Sequence, residues 1–206
     1  MTRIEELHHI VELLKKHELP ISPILEYSIQ ERERQYTDED GISVVCESEH
    51  PIYTKDFDAY KWDFSHLSVG SAGGKKLPHK AILLLSIIHQ IESGSMESNE
   101  IPLENTTARA FVEQWSELLP DAKSPSVWIP FWYMKTEPFW HFKAANDEQL
   151  LAGLLSFGGH PSIGQMRPII KFACLDDELF AMLKDGHNRN LLKEILISTY
   201  VLPFIE

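Results

Sequence analysis

The sequence predicts an α+β fold: a mainly helical domain with a small antiparallel β element, preceded by an N-terminal helical extension. Three observations carry this expectation. Residues 80–92 are almost uninterruptedly apolar, which suits a helix at the centre of a domain rather than on its skin. Apolar residues recur at helical spacing in several other segments. Two short aromatic runs, 127–134 and 138–142, flank Lys135-Thr136-Glu137 and read as two strands around a turn.

The elements follow in order. Thr2 with Glu5 resembles a capping box, and Ile4, Leu7, Ile10, Val11 and Leu14 place residues 3–17 in an amphipathic helix. Ser22-Pro23 opens a second helix that runs to the charged Glu31-Arg32-Glu33-Arg34. Residues 37–76 lack clear periodicity. Within them 42–46 suits a short strand, Tyr60, Trp62 and Phe64 are placed to pin the segment to a core, and 69–74 is the best hinge. That hinge divides an extension, 1–70, from a domain, 71–206. The helix at 80–92 stops at Ser93-Gly94-Ser95, and another spans about 105–119 with Phe111, Trp115 and Leu118 on one face. A loop fills 121–125. Residues 147–156, 162–172, 176–183 and 188–201 read as further helices.

At 206 residues the chain can bury one substantial core. Its two cysteines, Cys46 and Cys174, make neither a disulfide framework nor a zinc site. No apolar run reaches membrane-spanning length, and the charged start Met-Thr-Arg-Ile-Glu-Glu is unlike a signal peptide. The expected home is a reducing cytoplasm, away from membranes. A net charge of −12 opposes non-specific adhesion to nucleic acid. The charge is uneven, with 15 Asp/Glu against 7 Lys/Arg in residues 1–70 but 16 against 12 in 71–206. An anion-binding surface therefore belongs in the second part.

The residues offer no complete catalytic apparatus. His8 and His9 are adjacent on a helix and point about 100° apart, so they do not chelate one ion together. His187 with Asn188 and Asn190 lacks the upstream His and Cys pairs of an HNH nuclease. Asp176-Asp177-Glu178 suits a helix start, where acids complement the dipole. There is no phosphate-cradling glycine loop, nucleophile elbow or zinc spacing, so no cofactor or metal is implied. What remains is a crowd of potential cations, Lys75, Lys76, His79 and Lys80, around Pro78 at the mouth of the apolar helix. Positive charge there opposes the macrodipole, so these side chains either stand in water or meet an anion such as phosphate.

Four motifs then occur in a familiar order. They are Leu77-Pro78-His79-Lys80 with its Leu-rich helix, and Asn99-Glu100-Ile101-Pro102-Leu103 leading to Phe111 and Trp115. Next come Pro130-Phe131-Trp132-Tyr133-Met134 with Phe139-Trp140, and then Arg167 to Lys171 leading to Leu175-Asp176-Asp177-Glu178-Leu179-Phe180. Over roughly 72–203 the chain resembles the module found N-terminal to the nuclease in HNH-type restriction endonucleases. Its best-known members are the DNA sulfur-binding domains of type IV restriction enzymes. The resemblance implies a basic and imidazole pair at the helix mouth, matched by His79 and Lys80. It also implies a shallow apolar cage for a phosphorothioate sulfur, built around a Tyr-Pro-Phe-Trp-Ala-like strand of which Pro130, Phe131 and Trp132 match, with Ile129, Pro130, Phe131 and Tyr133 as the cage candidates. Ile129 stands where those members carry Tyr, and Tyr133 where they carry a small Ala, so an inward Tyr133 fills the cage.

The expected function is a DNA-binding module of a prokaryotic restriction or defence system. Duplex DNA, plain or phosphorothioate-modified, is its partner, and a nuclease is either lost or supplied in trans. His79 and Lys80 contact backbone phosphate, and Lys75, Lys76, Lys135 and Lys143 extend the footprint. The alternative is a protein-interaction module whose DNA surface is lost or masked. Convergence of His79, Lys80, Lys135 and Lys143 on one face favours DNA, and scatter disfavours it.

Overall fold

The computed structural model describes residues 55–144 and 159–205, together with Lys16, Gly153 and Phe157. The helices expected at 3–17 and 22–34 and the strand at 42–46 lie outside the described residues, save Lys16, which is helical and exposed. The helix expected at 147–156 lies outside them too, save Gly153. Lys16 belongs to one compact unit, Met1–Ile52, and the other described residues belong to a second, Tyr53–Glu206.

Helix α1, Phe57–Ser65, begins at Asp56, whose carboxylate accepts from the Ala59 N–H. Tyr60 and Phe64, four residues apart and so on one helix face, are fully buried, whereas Trp62 is 61% exposed. Helix α1 is thus part of the second unit's core and not of an extension ending at residue 70. The expected hinge is a closed hairpin, β1 (Ser71–Ala72) against β2 (Lys75–Lys76). Gly73 and Gly74 turn it at φ of +60° and +82°. Two consecutive left-handed positions are what a two-residue hairpin turn requires, and glycine adopts them without a Cβ clash.

Helix α2, His79–Glu92, runs through the middle of the unit, with every residue from Lys80 to Ile88 buried. Helix α3, Asn105–Leu118, turns Phe111 and Trp115 onto the core, as its periodicity predicts.

The aromatic segment differs from expectation. Residues 127–134 are not a strand: Trp128–Tyr133 form a short helix, α4, continued by a 3-10 turn at Met134–Thr136. Pro130 lies in its first turn, where a missing N–H costs no helical hydrogen bond. Strand β4, Trp140–Ala144, therefore has no partner there. It pairs with β5, Ile170–Leu175, whose other edge carries β3, Ile101–Pro102, to give the antiparallel order β3-β5-β4. The single helix expected at 162–172 is thus a short α5, Ile163–Met166, followed by a strand. In β4, Trp140 and Phe142 turn inward while His141 and Lys143 face outward, the alternation of a half-buried strand.

The chain closes with α6, Asp177–Met182, and α7, Gly186–Leu196. Asp185 caps α7 by accepting from the Asn188 N–H, and His187 sits exposed in its first turn. A π-helical stretch at Ile197–Val201 leads on to α8, Leu202–Ile205. Among the described residues, no helix is long and apolar enough to cross a membrane.

Candidate nucleic-acid interface

Lys80 is the second residue of α2, and it does not stand in water. The residue is 5% exposed, and its Nζ donates to Glu137 Oε1 at 2.5 Å and to Thr136 Oγ1 at 2.7 Å. The turn after α4 folds over the start of α2 and delivers both acceptors. Glu137 Oε1 also accepts the Ser68 N–H at 3.2 Å, tying in the segment after α1. Burial pushes the Lys80 pKa down, while the hydrogen bond and charge of Glu137 oppose that shift. The expected phosphate contact by Lys80 is therefore corrected: its ammonium is consumed inside the fold.

His79 is half-buried, its ring 5.4 Å from that of Trp115. Burial holds its pKa below the ordinary histidine value, so at neutral pH it is mainly an uncharged imidazole. It offers a hydrogen bond rather than a charge.

The lysines that face solvent at this junction are Lys75, Lys76 and Lys135. The Leu77 N–H donates to the Gly70 carbonyl at 2.8 Å and closes the base of the hairpin, two residues before α2 begins. Lys75 Nζ reaches the Phe204 carbonyl at 3.4 Å, and Lys76 Nζ lies 5.1 Å from the centre of the Tyr200 ring. Lys135 Nζ sits 4.1 Å above the Trp132 ring, where partial burial lowers its pKa. Lys135 is two residues from Glu137, and Lys75 and Lys76 are a few residues from Lys80. The buried pair thus holds the turn against the start of the helix that the hairpin precedes in the chain.

Lys143 is placed elsewhere. It projects from the outer face of β4, opposite Phe172, into a groove shared with Glu100, Asp176, Asp177 and Glu178. His79, Lys80, Lys135 and Lys143 do not form one cationic face, and this scatter disfavours DNA binding through those four residues.

The cage residues divide as well. Pro130 and Phe131 are buried, with Phe131 packed edge-on against Trp128 and Trp140. Ile129 is half-buried and Tyr133 is 39% exposed. On this helix Ile129 and Tyr133, four residues apart, share a face, whereas Phe131 points to the opposite side, so the four residues do not line one wall. Two of the four expected cage residues are core.

Glu137, which decides the fate of Lys80, was not signalled by the sequence beyond its place in the Lys-Thr-Glu turn. Also missed was a second cluster, in which Asp176 Oδ1 lies 2.6 Å from His141 Nε2 and Asp176 Oδ2 accepts the Tyr60 hydroxyl at 2.9 Å. These links pull the Asp176 side chain away from capping α6. Among the described residues, no three His, Cys, Asp or Glu side chains come together as a metal site. No protein-family model matches this chain, and neither does any curated protein.

Proposed function

We propose that this protein is a cytoplasmic DNA-binding module of a prokaryotic restriction or defence system. In this reading it meets the phosphates of duplex DNA through Lys75, Lys76 and Lys135, and cleavage is left to a separate nuclease. What supports it is that Lys75, Lys76 and Lys135 are exposed and sit, along the chain, within a few residues of the buried Lys80–Glu137 pair. Lys80 is a positioning residue, since it fixes the turn that carries Lys135 against α2. Lysines act on phosphate as point charges, which gives affinity and orientation without reading sequence.

Discrimination of sulfur from oxygen needs an apolar wall, because sulfur is the larger and less hydrated atom. With Pro130 and Phe131 in the core, only Ile129 and Tyr133 remain to supply one. Plain and phosphorothioate duplexes are therefore expected to bind alike. A gel-shift comparison of both duplexes at low salt, with wild type and with Lys75→Ala/Lys76→Ala/Lys135→Ala, tests the reading. Wild type should shift both and the triple variant neither. An equal shift by the triple variant overturns the assigned surface. No shift by wild type overturns DNA binding and leaves the protein-interaction alternative.

A further inference from the structure

The outer face of the β4–β5 pair carries a groove of about 450 Å³, and none of Lys75, Lys76, Lys135 or Tyr133 lines it. Cys174 forms part of its floor. This residue is 6% exposed and directly opposite His141 in the strand register, so both side chains project to the groove side. Among the described residues its thiol has no hydrogen-bond partner. On one wall, His141 is held by Asp176, which Tyr60 holds in turn. On the other, Asn99 braces the rim: its amide donates to the Leu175 carbonyl at 2.9 Å and to Asp177 Oδ1 at 2.8 Å, and its oxygen accepts the Leu175 N–H at 3.0 Å. Asp176 and Asp177 are thus engaged. Glu100 and Glu178 also line the groove, and among the described residues neither has a hydrogen-bond or ion-pair partner.

We propose that this groove receives the guanidinium group of an arginine from a basic segment of a partner protein. Four carboxylates face a single ammonium, Lys143, and an imidazole already bonded to Asp176, so the groove selects a cation and repels phosphate. The half-buried Phe172 ring, which already has Lys171 Nζ 5.6 Å from its centre, lines the groove, and a planar guanidinium stacks on an aromatic face better than an ammonium does. Glu100 and Glu178 are left to accept its N–H groups in charge-assisted hydrogen bonds. The buried Cys174 sulfur is a weak acceptor at the floor, and the arginine stem covers apolar surface beside it. The volume lies within the range of small-ligand sites and accommodates one such side chain. The proposal does not depend on DNA binding, since it uses different residues and the opposite charge.

The test uses the full chain and a fluorescently labelled hexa-arginine peptide, with hexa-lysine as the comparison. Binding is followed by anisotropy, and the alkylation rate of Cys174 is followed by peptide-resolved mass spectrometry. Glu100→Gln/Glu178→Gln should weaken hexa-arginine binding about tenfold or more, as expected for loss of two charge-assisted contacts. These side chains hold no hydrogen-bond or ion-pair partner among the described residues, so the variant should stay folded, its midpoint moved only slightly by loss of the Glu178 charge from the first turn of α6. Hexa-arginine should slow alkylation of Cys174, hexa-lysine should bind more weakly, and Lys75→Ala/Lys76→Ala/Lys135→Ala should bind the peptide no worse than wild type. Equal affinity of the Gln variant overturns the proposal, as does binding that leaves Cys174 alkylation unchanged. Equal affinity for hexa-lysine overturns the guanidinium assignment.

Discussion

Lys80 and Glu137, 57 residues apart in sequence, meet at 2.5 Å with side chains only 6% and 4% exposed. A lysine this deep is held by its partner, because an isolated buried ammonium pays a desolvation cost that only pairing offsets. The pair also sets the geometry of the surface above it, by fixing the turn that carries Lys135 against the start of α2.

Removing one member of the pair should therefore be severe. Lys80→Met leaves the Glu137 carboxylate buried without its charge partner, with an expected loss of about 3–5 kcal/mol. Lys80→Met combined with Glu137→Leu should recover most of that loss, since an apolar pair of similar volume is often neutral. Urea unfolding of the two single variants and the double variant gives the coupling. A loss below about 1 kcal/mol in Lys80→Met would contradict the buried pairing.

This contact explains one limit of the sequence. The motif around Lys80 looks like a solvated or anion-binding helix start because its acceptor comes from the far end of another segment. Local pattern served well for α2, an almost unbroken apolar run of helical length, and for α3, whose apolar residues recur at helical spacing. It failed for Trp128–Tyr133, where aromatic and β-branched composition mimics a strand although the segment is a short helix. It failed again at Ile170–Leu175, a strand buried on much of both faces, whose apolar run hides the alternation that marks a half-buried strand. The groove residues were visible singly, but the register that puts His141 opposite Cys174 was not.

The centre of α2 supports the rest of the unit, and Leu84 is buried within it. Leu84→Ala should cost about 2–5 kcal/mol, the usual range for a core leucine. Thermal and urea unfolding both read this loss, and a value under about 1 kcal/mol would displace α2 from the core.

The half-buried His79 should make stability fall in mild acid. Burial lowers its pKa in the folded chain, so as pH drops the unfolded chain takes up the proton first. Its contribution is intact above the ordinary histidine range and is lost as pH falls through that range towards the folded value. Comparing wild type with His79→Gln between about pH 7.5 and pH 5.5 isolates the effect, and the variant should show the flatter decline. A steeper decline in the variant would mean that His79 is stabilised in its charged form.

His187 lies exposed in the first turn of α7 and should play no part in catalysis. Purified protein should leave plain and phosphorothioate duplexes intact with magnesium, manganese or zinc. Cleavage that survives repurification and disappears in His187→Ala would replace the binding-module reading with a nuclease.

The salt dependence of duplex binding tests the central claim most directly. The logarithm of affinity should fall with the logarithm of salt concentration, with a slope of about −0.9 per phosphate neutralised. Lys75→Ala/Lys76→Ala should make the slope shallower by about two, and adding Lys135→Ala by about one more. Lys143→Ala should leave it unchanged, since that side chain lies in the acidic groove. A slope that responds to Lys143 but not to Lys75, Lys76 and Lys135, or no measurable binding at low salt, would contradict the account.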